Sequence, residues 1–185
     1  MANHEERRAY TPFVHVLLAF NKSAREERAN PPVMRKVITK SLDDTLLVFR
    51  AQLQALGDEW RIHHTVNARD VEKARKYLMK KLIDHPELCS NLETEWRTAL
   101  LQSDCIYGPK RFMLDIDTKD RTRLAYVDSL ITEELEKADK ELVVDKYESP
   151  KGWHYLMSPF DTRTVCELDY VTLLRDGYYY LETVK

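Results

Sequence analysis

The stretch whose reading decides the fold is Arg111-Phe-Met-Leu-Asp-Ile-Asp117. Three apolar residues lead into Asp115, Ile116 follows, and then comes Asp117. Residues two apart on a strand point to one face, so a strand here projects both carboxylates side by side from its end. Two carboxylates held that close repel each other unless a cation sits between them, and hard oxygen donors suit Mg²⁺ or Mn²⁺. A DxD alone is weakly specific, because surface turns and helix caps share the pattern. The apolar run Phe112, Met113, Leu114 is what places this pair at the end of a buried strand.

Downstream, residues 121–140 (RTRLAYVDSLITEELEKADK) carry Leu124, Val127, Leu130, Ile131 and Leu135 on one face, the spacing of an amphipathic helix. Thr118 or Asp120 is placed to cap it. Leu142–Tyr147 and Trp153–Met157 read as strands around a Ser149–Gly152 turn, and Val165–Leu168 as a short strand or helical turn. Val171–Leu174 and Tyr178–Val184 flank Asp176-Gly177, which predicts a terminal hairpin. Strand, helix, strand, strand and hairpin amount to a helix packed on a mostly antiparallel sheet, an α+β class.

Upstream, residues 1–10 read as loosely ordered, and Thr11–Asn21 as a strand or short helix. Ser23–Arg28 is charged, and Asn30-Pro31-Pro32 breaks any helix there. Val33–Leu56 has apolar residues every three to five positions, which predicts one amphipathic helix or two, stopped by Gly57. Trp60–Val66 reads as a strand on which His63 and His64 take opposite sides. Asp70 is placed to cap a helix over Val71–Leu82, and Leu88–Gln102 reads as a further helix.

Three more groups carry candidate chemistry. In Ser149-Pro-Lys-Gly-Trp-His154, the side chains of Ser149, Lys151 and His154 offer a phosphate hydrogen bonds or charge, and Gly152 permits close backbone approach or positive φ. In Asn67-Ala-Arg69, a strand-to-helix junction favours anions and Arg69 adds a fork-shaped donor; a capping Asn and a solvated Arg are the plainer reading. Asp169 is a candidate third carboxylate on the metal, with Glu167 and Asp161 as competitors and a turn role as its alternative. Tyr178-Tyr179-Tyr180 reads as strand packing, with a base-stacking platform as its alternative.

The 185 residues are 43% apolar, enough for a sizeable core in one domain. With 29 basic and 31 acidic residues the net charge is −2, so any nucleic-acid binding must come from a local basic patch. Three dispersed cysteines form no CxxC pair and suit a reducing cytoplasmic setting. No signal-peptide pattern or membrane-length apolar run is present. Zinc spacings, P-loop and dinucleotide glycine motifs, and the GxSxG elbow are all missing.

Taken in order, the hhhDhD strand (Asp115, Asp117), the SxxGxH turn (Ser149, Gly152, His154) and a later hD (Asp169) resemble the archaeo-eukaryotic primase superfamily, the primase-polymerase catalytic core. Trp60–Arg69 is similar to the strand and Asn-x-Arg that precede the DxD half in some small members. The resemblance covers roughly residues 60–175. It implies a single catalytic domain over 1–185, in which an N-terminal helical α/β unit (1–108) packs on an RRM-like, mostly antiparallel sheet with helices on one face (109–185). It further implies two divalent metals on the acidic residues, a nucleotide phosphate on His154, and nucleoside triphosphates joined on a DNA or RNA template with release of pyrophosphate. The chain carries no zinc module or separate priming domain, so a partner protein would supply those functions. A compact phage- or mobile-element-type member fits, as does a diverged member that binds nucleotide or nucleic acid without turnover. A metal-dependent phosphohydrolase or nuclease also uses clustered carboxylates, but explains the SxxGxH turn less naturally.

Overall fold

The computed structural model describes residues 12–21, 33–38, 41–138 and 144–185. The predicted loose segment 1–10, the Pro31-Pro32 break, the last two positions of the 121–140 helix and the start of the 142–147 strand lie outside them.

The fold is mixed α+β, with four helices and two antiparallel sheets among the described residues. The first sheet is built from β1 (Phe13–Asn21), β2 (Val33–Ile38), β3 (Trp60–Thr65), the two-residue β4 (Arg69–Asp70) and β9 (Tyr178–Val184). Its order is β2-β1-β3-β9, with β4 also on β1. The second contains β5 (Phe112–Ile116), β6 (Val144–Glu148), β7 (Trp153–Met157) and β8 (Val171–Leu174), in the order β6-β7-β5-β8.

The helices are α1 (Leu42–Leu56), α2 (Val71–Asp84), α3 (Leu92–Leu100) and α4 (Arg121–Ala138). Ser41 caps α1 by accepting from the Asp44 N–H, and Gly57, at φ 69°, ends it. Asp70 caps α2 through the Lys73 N–H at 2.9 Å. Asp120 caps α4, accepting from the N–H groups of Thr122 and Arg123, and these two bonds hold its carboxyl below the usual range.

Two expectations change. Val33–Ile38 is a strand paired with β1, and the helix begins only after Ser41. A four-residue apolar spacing such as Val33 to Val37 fits either structure, and β-branched residues there favour the sheet. The second change is at the C-terminal end. Asp176-Gly177 is a bend between two strands, but β8 and β9 do not pair: β8 lies beside β5 and β9 beside β3. The boundary between the sheets is therefore not the chain division at residue 108, because β9 belongs to the first sheet.

Core packing follows the sheets. Leu124, Val127, Leu130, Ile131 and Leu135 of α4 bury against Leu114, Ile116, Tyr155 and Met157. Leu46, Phe49 and Leu53 of α1 bury against Leu17, Ala19, Trp60 and Ile62. Ala74, Ala99 and Leu100 cover Val14 and Val16. A fourth cluster, Val66, Met113, Leu156 and Tyr179, draws on both sheets and joins the halves. No helix of the described residues is long and apolar enough to cross a membrane.

Candidate functional site

Asp115 and Asp117 stand at the C-terminal end of β5, where the chain leaves the sheet for α4. Asp115 is half buried and Asp117 exposed. Neither carboxylate meets a lysine or arginine among the described residues, whereas Asp128, Asp145, Asp161 and Asp176 are each engaged by one. Directly across from Asp115 on β7 is His154. Its Nε2 lies 3.4 Å from Asp115 Oδ1.

The ring of His154 is set from the other sheet. Its Nδ1 accepts from the Tyr180 backbone N–H at 2.9 Å. A backbone N–H can only donate, so in the neutral ring the proton sits on Nε2, on the Asp115 side. His154 is 7% exposed, so this orientation is locked by packing as well as by the bond.

The Ser149–Gly152 turn holds the acidic strand end in place. The Ser149 N–H donates to Gly152 O at 2.8 Å, and Ser149 Oγ accepts from the Gly152 N–H at 3.0 Å. That leaves the Ser149 hydroxyl proton free to donate elsewhere. Gly152 is pressed onto the backbone of residues 116–118: a Cβ there would lie 1.8 Å from Ile116 O and 2.6 Å from Thr118 N. The close approach that this glycine permits is to the strand carrying the two aspartates, and it has no need of positive φ.

These groups line one cleft of about 320 Å³, bounded by Asp115, Asp117, Ser149, Pro150, Lys151 and His154 on one side. The opposite wall comes from the first sheet, with Phe20, Arg61, His63 and Tyr180. Phe20 stacks on His63 with centroids 4.9 Å apart, and His63 meets Tyr180 edge-on. A groove of about 450 Å³ adjoins it, sharing Arg61, Ser149, Pro150 and Tyr180 and adding Glu59, Lys185 and the Lys119–Glu148 ion pair. The aromatic and arginine wall was not foreseen. Strand alternation puts Arg61 and His63 on one face, but only the pairing of β9 with β3 brings that face opposite β5.

The remaining candidates lie elsewhere. Asp169 is exposed in the turn before β8. The Asp117 N–H donates to O of the neighbouring Tyr170 at 2.9 Å, yet Asp169 does not line the cleft. Among the described residues no group of three or more His, Cys, Asp or Glu is placed to hold a metal ion. Asn67 and Arg69 join an internal network. Arg69 is 2% exposed and grips both Asp176 oxygens, at 3.0 and 2.8 Å. Asn67 Nδ2 donates to Arg111 O and Asp176 Oδ1, and its Oδ1 accepts from the Arg111 N–H at 2.7 Å. Their donors hold the Asp176-Gly177 turn.

No family model, no curated protein and no solved structure matches the chain.

Proposed function

We propose that the chain is a divalent-metal-dependent nucleotidyltransferase of the primase-polymerase type, joining nucleotides on a DNA or RNA template. The observation that carries this reading is the convergence of Asp115, Asp117, Ser149, Lys151 and His154 on one cleft between the two sheets. The second sheet supports the RRM-like part of the reading. It is four-stranded and antiparallel, β5 is interior, and α4 packs on one face. The place of a second helix holds only the short turn Val165–Glu167.

The donor set fits Mg²⁺ or Mn²⁺. Two hard carboxylates line one cleft with no lysine or arginine partner among the described residues, and Mg²⁺ is commonly held by one or two carboxylates plus substrate phosphates and water. Asp115 and Asp117 would hold such an ion, and it would supply positive charge against the negative charge that develops in transfer. The protein's own groups orient the substrate. The His154 Nε2–H and the Ser149 hydroxyl donate to phosphate oxygens, and Lys151 adds a mobile positive charge. A primer 3′-hydroxyl then attacks the α-phosphorus and pyrophosphate leaves. Nucleoside triphosphates and a nucleic-acid template are the ligands, and the cytoplasm is the setting.

One observation favours a second reading, a nucleotide or nucleic-acid binding protein without turnover: Asp169 does not line the cleft, and among the described residues no third carboxylate takes its place there. Primer extension with template, nucleoside triphosphates and Mn²⁺ separates the two. Turnover is expected from the native chain, with a loss of at least a hundredfold in Asp115→Ala/Asp117→Ala, in line with removal of preorganised transition-state electrostatics. Metal-dependent nucleotide binding with no extension assigns the binding protein instead. Cleavage of the template would point to a nuclease.

A further inference from the structure

We propose that Arg61 is the polyphosphate-holding residue of this cleft, so that its ligand is a nucleoside di- or triphosphate and not a monophosphate. The inference rests on the nucleotide reading above and adds a residue that the acidic and SxxGxH motifs do not contain.

Arg61 lies on β3, opposite Phe20 of β1 and Thr183 of β9, so its stem is held in the middle of three strands. It is half buried, and its Nε is shut off from solvent with no hydrogen-bond partner. The other arginines that the fold covers are treated differently. Arg69 is gripped by Asp176 and Arg111 by Asp145. Arg61 has no carboxylate partner among the described residues, although Asp115 and Asp117 line the same cleft. A donor such as this Nε–H, shut off from water without an acceptor, is unfavourable, and the rest of the guanidinium faces the cleft, where a ligand oxygen can accept from it.

The placement names the ligand. Asp115 and Asp117 repel an anion, so phosphate needs fixed positive charge as well as a cation on the aspartates. Lys151 is exposed on a turn, whereas Arg61 is built into a sheet, and a planar guanidinium binds phosphate oxygens in pairs. Arg61 also stands where the 320 Å³ cleft opens into the 450 Å³ groove. A chain of two or three phosphates offers oxygens both to a cation on the aspartates and to Arg61, where a single phosphate must serve both. The Phe20–His63 stack beside Arg61 gives the base a planar surface.

The test is calorimetry with Mg²⁺ and three probes, ATP, AMP and inorganic tripolyphosphate, on the native chain, Arg61→Ala and Arg61→Lys. Arg61→Ala is expected to weaken ATP and tripolyphosphate at least tenfold while AMP changes less than twofold, and Arg61→Lys to recover part of the loss. An Arg61→Ala protein that binds ATP and tripolyphosphate within twofold of native overturns the proposal, as does a native chain that binds neither. Equal weakening of AMP also overturns it, since loss of fold would act on all three probes. If Arg61→Ala does not fold, the ATP-to-AMP affinity ratio of Arg61→Lys decides, and an unchanged ratio sinks the idea. Polyphosphate binding that depends on Arg61 without any primer extension removes the transferase reading and leaves this one standing.

Discussion

Gly152 is the residue on which the site's geometry turns. Its missing side chain lets the SxxGxH turn lie against the backbone of residues 116–118, and a methyl group would meet a carbonyl oxygen at 1.8 Å. A carbonyl in a strand cannot rotate away as a flexible side chain can. Gly152→Ala should therefore destabilise the protein by about 2–3 kcal/mol, at the upper end of overpacking costs, and displace Asp117 with it. Gly177 makes a natural comparison, because a Cβ there meets Leu174 Cβ at an ordinary 3.4 Å. Gly177→Ala should change stability by no more than about 1 kcal/mol. Urea unfolding midpoints of the two variants measure the difference.

Among the elements, β5 and α4 were legible because their information is local: an apolar run into DxD, then one apolar face with an acidic cap. The SxxGxH turn was legible for the same reason. What the pattern could not show is where an element goes after it forms. Asp176-Gly177 has the composition of a hairpin turn, but its direction is set by residues far away in sequence. Arg69 and Asn67 hold Asp176, and the Val66 N–H donates to Gly177 O at 2.9 Å. These contacts carry the chain across to β3. The same network explains why Asn67 and Arg69 read as phosphate ligands: a fork-shaped donor beside a helix start has one appearance in sequence, whether its acceptor is a phosphate or an aspartate. Arg69→Ala leaves the partly buried Asp176 without its counter-charge. It should cost roughly 3 kcal/mol, the low end for breaking a buried pair, because Asp176 keeps some contact with water. Thermal unfolding of the variant against the native chain checks this.

At the scale of the molecule, the two sheets are held as one body by Val66, Met113, Leu156 and Tyr179, and a titratable group is packed beside that junction. The His64 ring lies 5.1 Å from the Tyr179 ring and 4.4 Å from the His15 ring, and its Nδ1 donates to Thr65 O at 2.8 Å. Burial, with the neighbouring His15 second, lowers its pKa from 6.5 to about 4. A base depressed in the folded state binds protons more readily when unfolded, so stability is fully present above pH 6.5 and falls as pH drops towards 4. The loss should approach about 3 kcal/mol, and His64→Phe should flatten most of that slope in denaturation curves taken between pH 7 and 4. The junction also depends on β9, and β9 fixes an order of events during synthesis. Strand β3 leaves the ribosome long before Tyr178–Val184 does, and until then its edge is bare, with backbone groups open to wrong partners. In that interval His154 has no Tyr180 N–H to set its ring, and the wall bearing Arg61 is unfinished. A nascent chain can thus display both aspartates before the cleft is complete, and the opposite wall closes only when β9 pairs with β3.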